Sequence, residues 1–329
     1  MTPDTVATPS SSASLDGAVP LEHWGVIRAL GAESRTFLHS QLTHDIAQLG
    51  TSQARLAGYC SPKGRLMASF IVWQGASPDE VLLACSADLL APTLKRLSMF
   101  VLRAKTKLTN ASADVRLIGL AGATATDWLG ADAPSQAWAV ATHQGATVVR
   151  LPDAAGSQRF LWSCADPAVP APPLPALTLD HWRWLEVQSG VPTIEAATVE
   201  RFVPQMINFE LVGGVNFQKG CYPGQEIVAR AQYRGTVKRR MFLFDTDARA
   251  LPAPGTEVFS AADAAQPAGM IANAAVRPDG SGASVLAELK LSALGETALH
   301  IGAADGPLLH RVSLPYPLPI DEAEADLAS

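Results

Sequence analysis

Lys219-Gly220-Cys221-Tyr222-Pro223-Gly224-Gln225-Glu226 puts a cation, a thiol, a flexible turn and a carboxylate into eight consecutive residues. A segment that merely joins two core elements rarely sets Gly220 beside Cys221 and follows them with Pro223-Gly224, a pair that asks for special backbone angles. The pattern implies that something approaches this backbone closely. Beyond it a short helix is expected: Gln225 and Glu226 suit a first turn, Ile227, Val228 and Ala231 supply an apolar face, and Gly235 can stop it. Cys221 would stand just before the helix N-terminus, where the partial positive charge and nearby Lys219 favour thiolate over thiol. Two readings stay open for it, a reactive sulfur and a buried structural thiol.

Working outward, Lys219 to Arg240 holds six cations (Lys219, Arg230, Arg234, Lys238, Arg239, Arg240) against one acid, Glu226, in a chain of net charge -6. An anionic ligand or partner fits that stretch, and so does an ordinary solvated helix followed by a strand. The overall acidity argues against direct nucleic-acid binding. With 329 residues, 48% of them hydrophobic, the chain can bury the cores of two or more domains. Its four cysteines, Cys60, Cys85, Cys164 and Cys221, form no C-x-x-C pair, so neither a zinc ribbon nor a self-contained iron-sulfur motif is expected, and a reducing compartment fits best. The Ser/Thr/Ala/Pro-rich start lacks the marks of a targeting segment, and no apolar run is long enough to span a bilayer. A cytoplasmic protein without membrane contact is the expectation.

The patterning predicts a mixed α+β architecture. Trp24 to Leu30 reads as a strand feeding a helix over 33–49. Gln53 to Cys60 and Arg65 to Gln74 read as a hairpin around Ser61-Pro62-Lys63-Gly64, with Val81 to Cys85 as a further strand. Ala87 to Leu102 is the clearest amphipathic helix, with Pro92 in its first turn or marking its start. Strands are expected at 115–120, 137–142, 147–151 and 159–164, then a Pro/Ala-rich linker near 167–175 and a helix from Asp180 to Ser189 carrying Trp182, Trp184, Glu186 and Gln188. From Met241 six short strands suggest a small barrel. The expected division is a disordered tail over 1–19, an α+β region over 20–240, the barrel over 241–318 and an acidic tail over 319–329.

The segment from Phe202 to Arg240, above all Lys219 to Glu226 followed by Val228-Ala229-Arg230, resembles the signature of the YgfZ family of folate-binding proteins. The similarity extends through Pro204-Gln205-Met206, Asn208, Gly213-Gly214, Gly190-Val191-Pro192, Trp24, Gln41, Thr43, Asp45 and Gly64, so nearly the whole folded chain is covered. The superfamily includes the aminomethyltransferase (T-protein) of the glycine cleavage system. The resemblance implies ring-like lobes around a central channel that binds tetrahydrofolate or a one-carbon derivative, closed by a C-terminal six-stranded β-barrel. It also implies a role in making or maintaining iron-sulfur clusters in enzymes that include a tRNA-thiomethylating one, and hence iron-sulfur enzymes or assembly proteins as partners. Carried over residue by residue, it puts Trp24, Trp182, Gln188, Asn208, Lys219, Tyr222 and Arg230 at the folate and gives Cys221 and Lys219 the chemistry. Ordinary core packing is the other reading of each tryptophan, and the preferred one for Trp184.

The chain departs from the transferases in two places. Adjacent aspartates follow the equivalent of Gly64 there, whereas Met67 and Ala68 stand here, so proton handling for aminomethyl transfer has no evident agent. A transferase glutamate near Gln188 is replaced by an amide, with one acceptor and two donors. Three functions follow: a folate-dependent accessory factor for iron-sulfur clusters, with Cys221 as nucleophile, redox thiol or transient ligand; a folate-dependent one-carbon transferase; and an RNA-binding module using the cations of 219–240.

Overall fold

The computed structural model describes residues 15–235, 237–295 and 298–319. The tail readings for 1–14 and 320–329 lie outside these residues. Three antiparallel sheets carry the described residues. The first has the order β1 (Gly17–Pro20), β7 (Arg116–Ala121), β10 (Ser157–Cys164), β9 (Ala146–Ala154), β8 (Val140–His143). Gly17–Pro20 is a correction: read as the end of a disordered tail, it is a strand paired with β7, and Val19 is buried. Only one large apolar residue marks it, so its order comes from its neighbours. Ala18 accepts from Leu177 N and donates to Pro175 O, which pins the end of the Pro-rich linker as well.

The second sheet runs β3 (Arg55–Cys60), β4 (Leu66–Gln74), β5 (Glu80–Ser86), β2 (Trp24–Leu30), β6 (Lys107–Asn110). The β3–β4 hairpin turns at Ser61 to Gly64, where Gly64 N donates to Ser61 O. The third sheet holds the six strands expected after residue 240, in the order β15 (Leu299–Ile301), β12 (Glu257–Ser260), β13 (Asp263–Val276), β14 (Ala283–Lys290), β11 (Arg239–Thr246), β16 (His310–Val312). It curls into a half-barrel with β15 and β16 at its ends.

Helices are few: α1 (Ser34–Gln41), α2 (Ala87–Ser98), α3 (Gly122–Leu129), α4 (Leu179–Gln188) and α5 (Gln225–Tyr233). The helix expected over 33–49 stops at Gln41, because Leu42 turns extended and bridges Tyr59 of β3. Thr43 then takes over the local polar groups, donating its hydroxyl to Gly214 O at 2.6 Å and accepting from Gly58 N at 2.7 Å. Ile46 and Leu49 still reach the core, so their helical spacing is satisfied without a helix. α2 begins at Ala87, which puts Pro92 inside it rather than in its first turn, and the helix forgoes the bond Pro92 cannot donate.

α4 is the hub. Its Trp182 and Leu185 join the cluster shared by the first two sheets, while Val187 joins a core that runs from Phe37 and Tyr59 to Met241, Ala272 and Leu286 of the half-barrel. Packing is therefore continuous across residue 240. The Trp182 ring lies flat enough on β7 that a Cβ at Gly119 would stand 2.7 Å from it. A buried indole at such a contact contributes several kcal/mol, on the order of 3–5. Among the described residues no helix is long and apolar enough to cross a membrane.

Candidate functional site

Thr178 caps α4 by accepting from His181 N, and one turn on, Trp182 and Glu186 fall on the same face. The Trp182 indole donates to Glu186 Oε1 at 2.9 Å, and the Trp24 indole, from the start of β2, donates to the same oxygen at 3.0 Å. His23 Nε2 lies 3.0 Å from Oε2. Buried Arg159 of β10 stacks 5.4 Å above the Trp182 ring and adds a positive field. Burial pulls Arg159 down to about 10, against the raising influence of the Glu186 and Asp153 charges. Burial alone would raise the Glu186 carboxyl. The charge and hydrogen bond of His23, then Arg159 and the Trp182 bond, outweigh it and hold the group below its usual range. Glu186 is therefore an ionised acceptor at neutral pH.

This carboxylate stands between two spaces. A cavity of ≈ 490 Å³ opens between α4, the start of α2 and the loops of the half-barrel, lined by His23, Trp24, Asp88, Arg183, Glu186 and Glu195 among others. A narrow apolar slot continues from it past Leu56, Phe70, Trp138 and Arg159, and it too is lined by Trp24 and Glu186. An indole edge, an ionised acceptor and an apolar slot suit a planar heteroaromatic group that carries N–H donors. His23 Nδ1 is buried at the same place and has no protein partner. Of the roughly four acceptor positions of a carboxylate, Oε2 uses one, on His23.

Of the sequence-predicted folate residues, Trp24 lines both spaces. Trp182 does not: it is 0% exposed, wedged between Gly119 and Arg159, and reaches the site only through its bond to Glu186. Gln188 faces the half-barrel and donates to Ser284 Oγ at 3.0 Å. Asn208 is buried in a left-handed conformation after the Pro204–Ile207 turn and ties that turn to β11 by donating to Met241 O at 2.7 Å. The helical spacing of α4 explains the shift from Gln188 to Glu186, since residues 182 and 186 share a face and 188 lies on another. The available signal was a carboxylate four residues after a tryptophan, one helical turn on and on the same face; sequence reasoning names Glu186 on this helix without placing it at the ligand.

The octapeptide lies elsewhere, and none of its residues lines either space. Lys219 turns inward, donating to the carbonyls of His39 and Leu42 and lying 4.9 Å over the Tyr222 ring. Burial pulls its ammonium down to about 8, and it raises the Tyr222 phenol. α5 starts at Gln225 with Gly224 as cap, so Cys221 precedes the cap by three residues, on an exposed loop. The close approach inferred from Pro223-Gly224 is made by this chain's own hairpin. Gly224 sits at φ +79, and a Cβ there would stand 2.3 Å from Ser61 O. Cys60, Cys85 and Cys164 are buried, the first two with thiols pushed up to about 12 by burial.

The basic stretch is partly spent inside the fold. Arg239 pairs with Glu288 at 2.7 Å, buried Arg240 pairs with Glu210, and Lys219 is locked on backbone. Arg230, Arg234 and Lys238 remain exposed. Met67 is half-buried against the core and Ala68 fully buried on β4, and neither lines the cavity or the slot. The carboxylates that do line the cavity, Asp88, Glu186 and Glu195, come from other elements. Among the described residues no group of three or more His, Cys, Asp or Glu could hold a metal ion.

No protein-family model matches the chain. Its fold is similar to that of the glycine cleavage system aminomethyltransferase T from Bartonella henselae, with a TM-score of 0.68, 14% identity, and 92% of this chain and 87% of that one covered. By sequence it is 36% identical to the tRNA-modifying protein YgfZ of Edwardsiella ictaluri, over 70% of this chain and 72% of that protein. It is 30% identical to the protein of the same name from Sodalis glossinidius, over 95% of this chain and 97% of that one. With the octapeptide, the shared fold and near-complete coverage in agreement, the chain belongs to the YgfZ family of tRNA-modifying proteins.

Proposed function

We propose that this protein binds a reduced folate in the cavity beside Glu186 and serves, through Cys221, as an accessory factor in iron-sulfur cluster assembly or repair that indirectly supports tRNA modification. The observation that carries the folate part is the ionised Glu186 at the junction of cavity and slot, with spare acceptor capacity and the Trp24 indole beside it. A pterin presents N–H donors on a planar ring, which suits that pairing, and the apolar slot suits the flat part of the ligand. The bound folate would supply one-carbon chemistry. The protein's part is to orient the ring, exclude water from the slot and hold Glu186 ionised through His23 and Arg159.

Cys221 is the thiol available to a partner, since Cys60, Cys85 and Cys164 are buried. A one-carbon transferase remains the alternative, and the absence of a carboxylate at Met67 and Ala68 weighs against it. Two experiments test the proposal. Titration with tetrahydrofolate while following tryptophan fluorescence should saturate, and no binding at millimolar folate removes the folate part. In a strain lacking its own family member, Cys221→Ala protein should fail to restore iron-sulfur enzyme activities that the parent restores. Turnover of methylene-tetrahydrofolate by the pure protein would favour the transferase instead.

A further inference from the structure

Residues 95–107 carry five cations (Lys95, Arg96, Arg103, Lys105, Lys107) and no acid, in a chain of net charge -6. α2 ends inside this stretch, and the chain folds back through short turns: Met99 N donates to Arg96 O, Phe100 N to Leu97 O, Val101 N to Ser98 O and Ala104 N to Val101 O. Leu97, Val101 and Ala104 pack on the core and anchor the turn. The side chains between them stay in solvent, with Met99 58% exposed, Phe100 45% and Leu102 87%. Leu30, also exposed, ends β2 directly opposite Lys107 of β6, so a fourth apolar side chain borders the same turn.

Two features set this tip apart from apolar residues scattered over a surface. Leu102 holds a φ of +43, a conformation costly for a bulky side chain, and at its exposure it gains little packing in return. Glycine would take that conformation without strain. The second feature is free charge. Arg96 turns inward to the Tyr59 phenol, whereas Lys95, Arg103, Lys105 and Lys107 have no ion-pair partner among the described residues. Of the acids on the adjoining segments, Glu33 accepts the Lys105 backbone N–H and Glu80 pairs with Arg28, so the turn keeps a positive excess.

We propose that this turn docks the protein on an anionic lipid surface, with Met99, Phe100 and Leu102 entering the headgroup boundary and Lys95, Arg103, Lys105 and Lys107 meeting the lipid phosphates. Charge and residue type together choose the occupant. Protein interfaces are depleted in lysine and leucine is scarce at their hot spots, yet three of the four free cations here are lysines and the most exposed apolar side chain is Leu102. A nucleic-acid strand stacks on aromatic faces, and Phe100 is the sole aromatic ring among the exposed apolar side chains of this turn. A lipid surface asks for no matching shape. It needs apolar side chains that insert and cations that neutralise phosphate, and both stand on this one turn. Such a contact requires no spanning helix, and it revises the expectation of a protein without membrane contact. It is independent of the folate site and of Cys221.

The test is sedimentation of the full-length protein with vesicles of phosphatidylglycerol and phosphatidylcholine in equal parts, and with vesicles of phosphatidylcholine alone. The mixed vesicles should carry the protein down at low salt, high salt should weaken this by roughly tenfold or more, and phosphatidylcholine alone should retain little. Leu102→Gly removes an inserting side chain and relieves the φ of +43 without touching a buried contact. It should therefore leave Tm no lower than the parent's while weakening vesicle affinity roughly tenfold. Replacing Lys105 and Lys107 together by glutamine should cost roughly thirtyfold. Neither variant touches the cavity beside Glu186, so tetrahydrofolate titration should match the parent's. The absence of sedimentation with the mixed vesicles at low salt overturns the proposal, as does equal sedimentation with phosphatidylcholine alone or variants that sediment within twofold of the parent. Failure on vesicles combined with retention on immobilised polyglutamate would point to an acidic protein partner instead, and combined with retention on single-stranded RNA to a nucleic acid; each overturns the lipid reading.

Discussion

Replacing Glu186 with glutamine keeps the side-chain size and removes the charge at the centre of the site. In the parent, Oε1 accepts both indole N–H groups, and Oε2 faces His23. Glutamine has one acceptor oxygen, so at best it keeps the two indoles without the charge, while its amide nitrogen turns toward His23. Hydrogen bonds to a charged partner contribute about 1.5–3 kcal/mol and neutral ones about 0.5–1.5, so the two indole bonds together lose about 2 kcal/mol. Buried Arg159 also loses its counter-charge. A total destabilisation of about 2–4 kcal/mol is expected at pH 7, read as a lower urea midpoint with an unchanged slope. The sign with pH follows from the depressed carboxyl. Its contribution is complete above its unfolded value of 4.5 and is lost as pH falls through the lower folded value. The gap between parent and variant should therefore narrow on acidification below that point. Tetrahydrofolate affinity should fall by about 2 kcal/mol, or roughly thirtyfold, read by tryptophan fluorescence. A variant as stable as the parent at pH 7, with folate affinity within twofold, would refute both the buried network and its role.

The two tryptophans should separate. Trp24→Ala should weaken folate binding at least roughly tenfold with a modest loss of stability, whereas Trp182→Ala should cost about 3–5 kcal/mol in urea unfolding because its ring fills the gap over Gly119. Gly224→Ala should destabilise by about 2 kcal/mol or more, since its Cβ would meet Ser61 O at a φ of +79; calorimetry would show a lowered Tm. His44 is neutral in the folded chain down to about 4, while in the unfolded chain it protonates near 6.5. The parent should therefore lose stability as pH falls from 6.5 to 4, by at most about 3 kcal/mol, and His44→Gln should show a flatter stability curve across that window.

Much of the fold was legible because its signals are local. The β3–β4 hairpin is written in alternation around Pro62 and Gly64, and the six strands after Met241 are separated by turn residues. The misread places depended on contacts distant in sequence. Helix α1 ends where Leu42 finds β3, and Gly17–Pro20 becomes a strand because β7 and the 175–177 backbone pair with it. Neither partner leaves a mark in the local pattern.

For the site, the sequence by itself determined the family and the presence of an unusual thiol loop, since Lys219 to Glu226 is a contiguous string whose chemistry survives without coordinates. Only the tertiary structure decided which groups meet. It set Glu186 rather than Gln188 at the cavity, buried Trp182, spent Lys219, Arg239 and Arg240 on internal partners, and brought His39 and Asp45 to the loop that bears Cys221. The reason is physical: side-chain identity fixes what a group can donate or accept. Its field, burial and partners come from other segments, some as distant in sequence as Trp24 is from Glu186 and Leu42 from Lys219, brought together by packing.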